Sequence, residues 1–62
     1  MRTYYVIFNE NYTVDTSLNK DFDAEKYTYI KTRVNELGTL EYYAHNSLSD
    51  FYKKSLIDGV LS

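Results

Sequence analysis

No cysteine and no proline occur in the 62 residues. Without cysteine there is neither a disulfide nor a thiolate metal site. The single histidine, His45, excludes a His-rich metal site. The two glycines, Gly38 and Gly59, stand alone, so there is no Gly-rich phosphate loop. Basic residues never cluster beyond the pair Lys53-Lys54, and the formal net charge is -2. A broad electrostatic footprint for nucleic acid is therefore missing, and direct nucleic-acid binding is not expected. No apolar run is long enough to cross a membrane. Arg2 leads into Tyr4-Tyr5-Val6-Ile7-Phe8, but Asn9-Glu10-Asn11 interrupts that stretch at once, unlike a secretory leader. These absences predict a non-enzymatic chain without cofactor or metal, working in a reducing, cytoplasmic compartment.

What is present supports a folded domain. Apolar residues make up 44% of the chain and charged residues 26%, a balance unlike that of disordered segments. A chain of this length forms one domain, residues 1–62, and buries only about 60% of the surface its unfolded form exposes. Small domains without disulfides or metals gain stability from a partner chain, so a homodimer is expected. Eight tyrosines are the compositional outlier. Tyrosine suits interfaces, through its large area and polar tip, and equally suits β-strands.

Residues 3–8 read as a strand, rich in β-branched and aromatic types and stopped by Asn9-Glu10-Asn11. Both alternating sets, Tyr4/Val6/Phe8 and Tyr5/Ile7, are apolar, which predicts a central strand covered on both faces. Tyr12-Thr13-Val14 can add a short second strand. The polar, acidic residues 15–25 read as a loop with room for one helical turn after Asp21. Residues 26–46 read as a hairpin turning at Asn35-Glu36-Leu37-Gly38, as a type I turn closed by a glycine bulge. That register sets Val34 opposite Leu40, Thr32 opposite Tyr42, Ile30 opposite Ala44 and Arg33 opposite Glu41. It gives one apolar face and one opposite-charge pair. The C-terminal part reads as a helix capped by Ser47 or Ser49, with Asp50 in its first turn. Leu48, Phe51, Tyr52, Ser55, Leu56, Gly59 and Val60 form its stripe, and Ile57 and Leu61 are left over for a second covered surface. The fold class that follows is α+β: an antiparallel sheet of three to four strands with one C-terminal helix packed on one face.

Catalytic constellations are nearly absent. His45 beside Ser47 and Ser49 has no nucleophile fixed by a motif, and a strand-end role fits it better. Asp21, Asp23 and Glu25 alternate like part of a calcium loop but lack the glycine and terminal glutamate of an EF-hand, so they read as a solvated acidic loop. Two binding surfaces remain. One is a tyrosine-rich sheet face on which Tyr29, Tyr43 and Lys31 could stack and hold nucleic-acid bases, against the acidic balance. The other presents acidic and apolar groups to a protein, either a regulatory host partner or simply the second copy of a dimer.

Tyr27, Gly38, Tyr42 and His45, followed by Ser47-Leu48-Ser49-Asp50-Phe51, carry a resemblance. In this stretch, residues 27–52, the chain resembles the small dimeric uracil-DNA glycosylase inhibitors of Bacillus podophages. It departs from them in having two fewer residues between the histidine and SLSDF, and in carrying its extra strand before the hairpin rather than after the helix. The resemblance implies a DNA mimic that binds host uracil-DNA glycosylase. Such a protein sets carboxylates where phosphates would lie and offers an apolar pocket to the side chain the enzyme pushes into the minor groove. On that basis Phe51, Tyr52 and Leu48 are the pocket candidates and Glu36, Glu41 and Asp50 the phosphate-like charges, with Tyr43 beside them. The competing reading makes Phe51 a core residue and Asp50 a helix cap.

Overall fold

A computed structural model describes residues 2–60 of the chain. It has four strands, β1 (Arg2–Phe8), β2 (Val14–Ser17), β3 (Tyr27–Asn35) and β4 (Gly38–His45), and a C-terminal helix α1 (Asp50–Ser55) that widens into a π-helical turn, Leu56–Val60. A 3-10 turn, Ala24–Lys26, precedes β3, and the Asp23 carboxylate caps it by accepting from the Glu25 N–H at 3.1 Å. The expected α+β class, with four strands and one C-terminal helix, is what the chain forms. Leu61 lies outside the described residues.

The strand order is β2-β1-β4-β3. The β1–β2 and β3–β4 pairs are antiparallel, as expected, whereas the central β1–β4 pair is parallel, with Tyr4 opposite Leu40 and Val6 opposite Tyr42. The sheet is thus mixed, which corrects the purely antiparallel expectation. The cause is topological. The chain leaves β1 on one side to make β2, and crosses the sheet through residues 18–26. The β3–β4 hairpin then returns β4 to the free edge of β1. Being flanked on both sides, β1 is central, as its two apolar sets predict.

The two sheet faces are covered differently. On one, Phe8, Tyr42 and Ala44 pack with Leu48 and Leu56, and Val6, Ile30, Leu40 and Tyr52 lean against them. This is the core beneath the helix. On the other, Ile7 and Tyr43 are buried, and Phe22 from the crossing segment sets its ring 4.8 Å from Tyr43, 5.5 Å from Tyr27 and 6.2 Å from Tyr5. The expected short second strand thus forms at Val14–Ser17 rather than 12–14, and the segment expected to be a loop with one helical turn after Asp21 gives up residues 15–17 to it, holds the 3-10 turn Ala24–Lys26 and carries one aromatic anchor. The free edge of β1 pairs residues 14–17 although their composition is polar.

The hairpin register differs from the expected one, by one residue next to the turn and by two beyond Tyr29, where Thr28 rather than Ile30 stands opposite Ala44. Asn35 stands opposite Gly38, Arg33 opposite Leu40 and Thr32 opposite Glu41, around a two-residue turn of Glu36 and Leu37. The Asn35 Oδ1 closes the turn by accepting from the Leu37 N–H at 2.9 Å and the Gly38 N–H at 3.1 Å. Arg33 and Glu41 are consequently not opposed, and Val34 is 69% exposed. An irregularity between Tyr29 and Lys31 adds a second residue of shift, which restores the expected face, and Ile30 still reaches the core beneath the helix.

Candidate functional site

The helix start is built locally. Ser49, rather than Ser47, is the cap: its Oγ accepts from the Tyr52 N–H at 3.1 Å, with Asp50 in the first turn. Asp50 therefore does not cap, and its exposed carboxylate complements the helix dipole instead. Leu48, Tyr52 and Leu56 recur every four residues and face the sheet. Tyr52 also meets the Tyr12 ring edge-to-face at 5.2 Å. Tyr12 is held at φ 65, an uncommon conformation for a non-glycine residue, at the tip of the β1–β2 turn. Phe51 is rotated off this stripe and is 83% exposed, which removes the reading of Phe51 as a core residue. Around it, Lys54, Ser55, Asp58 and Gly59 line an open depression.

The other predicted residues lie elsewhere. Glu36 is exposed in the hairpin turn. Glu41 and Tyr43 share the sheet face opposite the helix, where the Tyr43 hydroxyl donates to the Glu41 Oε1 at 2.8 Å. Burial first, and then the Glu41 hydrogen bond and charge, push the Tyr43 pKa up to about 12. The fold thus brings Glu41 to Tyr43 and Leu48 to Tyr52. It does not align Glu36, Glu41 and Asp50, nor do Leu48, Tyr52 and Phe51 form a pocket in one chain, because the first two point inward and the third outward. The base-stacking set is also divided: Lys31 stands opposite Tyr42, a residue of the helix-side core, while Tyr43 is covered by Phe22 and Tyr29 is 53% exposed.

No family model matches the sequence, and neither a curated protein nor a solved structure matches the chain. The site is therefore read from its own geometry.

His45 ends β4 and ties it to the helix. Its Nδ1 accepts from the Ser47 N–H at 3.1 Å and lies 2.7 Å from the Ser47 Oγ, while its Nε2 is 4.0 Å from the Glu10 carboxylate. Asn46 anchors the same junction, donating through its amide to the Glu25 carbonyl at 3.0 Å and sharing a hydrogen bond with the Thr28 hydroxyl. Residues that sequence reasoning missed are Phe22, Tyr5 and Lys20, which with Tyr43 build the second aromatic face. The available signal was Phe22, a lone aromatic within an acidic polar segment.

Proposed function

We propose that this chain works by binding a protein, as an inhibitor of uracil-DNA glycosylase in the bacterial cytoplasm, with the outer face of α1 as its contact. The observation that carries the reading is Phe51, a large aromatic 83% exposed at a well-capped helix start within the SLSDF segment. Exposed aromatics beside a carboxylate suit a desolvated interface anchor, and burying such a side chain is worth about 1.5–3 kcal/mol. Asp50 beside Phe51 supplies negative charge for a basic DNA-binding groove. Because Phe51 points away from Leu48 and Tyr52 in one chain, the reading includes a homodimer in which two such helices enclose a pocket. Glu41 and Tyr43 fall on the far face and are not part of this contact.

The test is uracil excision from a labelled oligonucleotide with increasing amounts of the protein. Cleavage is expected to fall with the wild-type chain, and Phe51→Ala should weaken inhibition by at least about 30-fold, the scale of an interface hot spot. Undiminished cleavage by glycosylases from several bacteria rejects the proposal.

A further inference from the structure

Tyr43 lies at the centre of the face opposite the helix. The rings of Phe22, Tyr29 and Tyr5 surround it, with centroids 4.8, 5.8 and 6.3 Å away. Above its ring stands an ammonium group of the same chain, the Lys20 Nζ, 5.6 Å from the centroid. Among the described residues Lys20 makes no ion pair; the ring is the partner of its charge. The aromatic face is negative at its centre and attracts cations. Donation of the Tyr43 hydroxyl to Glu41 shifts electron density toward the ring and strengthens that attraction. Glu41 is itself only half-buried and Tyr29 is 53% exposed, so a carboxylate and an open aromatic ring stand beside Tyr43 on this face.

We infer that this face is a receptor for a basic side chain, a lysine or arginine of a partner protein, and that Lys20 is an internal stand-in that such a side chain displaces. Three features favour a basic group over an apolar one. A cation already sits there, a carboxylate is hydrogen-bonded to the ring beneath it, and the hold on Lys20 is a single exposed cation–π contact of the weak kind. The residue lies in an irregular segment between β2 and the 3-10 turn, so it can leave without breaking a strand. An incoming guanidinium would keep the ring contact and gain Glu41 as well. The inference concerns the face away from Phe51 and stands or falls independently of the glycosylase reading.

The experiment is an NMR titration of the tyrosine ring resonances with acetyl-arginine amide, and with acetyl-citrulline amide as its uncharged counterpart. Arginine is expected to shift Tyr29 and Tyr43, citrulline to leave them nearly unmoved. Lys20→Ala removes the internal competitor and should tighten arginine binding about two- to five-fold, the range of an exposed cation–π contact. Glu41→Gln keeps an acceptor for Tyr43 and should weaken it. An equal response to citrulline, or no gain in Lys20→Ala, overturns the inference.

Discussion

Tyr43 shows how one buried side chain records its surroundings. Burial and the neighbouring Glu41 carboxylate both disfavour the phenolate, raising the pKa from 10.0 to about 12. Above pH 10 the unfolded chain releases this proton while the native chain keeps it, so the native state binds more protons and stability falls as pH rises. The contribution is complete below pH 10 and is lost by the time the pH passes about 12. Thermal melts by circular dichroism should therefore show the melting temperature dropping between about pH 10 and about pH 12, and dropping less in Tyr43→Phe, which has no proton to lose. An equal drop in the two proteins would contradict the assignment. Neither the burial nor the Glu41 contact was legible in the local sequence. Tyr43 and Glu41 are two apart on one strand, which places them on one face, but it was Phe22 from a distant segment that covered it.

At the scale of elements, β1 and α1 follow directly from their residues. Threonine, tyrosine, valine, isoleucine and phenylalanine in unbroken succession make a central strand, and Ser49 with Asp50 opens a helix. The β3–β4 hairpin was legible as a hairpin but not in register. Asn35-Glu36-Leu37-Gly38 accommodates both a two-residue turn and a longer bulged one, and the opposite-charge pair Arg33–Glu41 that favoured the longer turn is the kind of surface contact worth under about 1 kcal/mol. What outweighs it is the approach of β1 to β4. Gly38 is buried at φ +146, and a Cβ there would overlap the Arg2 carbonyl oxygen. That clash is with backbone, which cannot swing aside. Gly38→Ala is therefore expected to lose at least about 2 kcal/mol in urea denaturation, from the backbone strain and the displaced β1–β4 pairing together. A loss under about 0.5 kcal/mol would mean that the two strands do not meet there.

For the molecule as a whole the margin is small. At about 0.05–0.15 kcal/mol per residue, a chain of this size has a total stability of roughly 3–9 kcal/mol. Phe8 stacks on Tyr42 with centroids 6.4 Å apart in the core beneath the helix. Removing its ring costs about 3–5 kcal/mol by cavity formation and lost burial. Phe8→Ala is thus expected to lose about 3–5 kcal/mol, a large share of the total, whereas Phe51→Ala should change stability by less than about 0.5 kcal/mol. Urea titrations of the two variants side by side check both. Comparable losses would contradict the exposed placement of Phe51. The same contrast separates the fold from the candidate contact: one phenylalanine holds the chain together, and the other is left available. Among the described residues no helix is long and apolar enough to cross a membrane.

The amino-acid sequence by itself determined what depends on near neighbours along the chain. This includes the α+β class, the strand at residues 3–8, the existence of the hairpin and the capped helix start, while of the expected helix stripe Leu48, Tyr52 and Leu56 face inward and Phe51, Ser55 and Gly59 are exposed. Periodicity and side-chain hydrogen bonding act over a few residues and are read directly. Tertiary structure alone decided the parallel β1–β4 pairing, the hairpin register, the placing of Phe51 outside the core and of Glu41 beneath an aromatic face. Each of these depends on which distant segments compete for the same edge or surface. Local patterning does not encode the outcome of that competition; the backbone contact at Gly38 and the ring of Phe22 do.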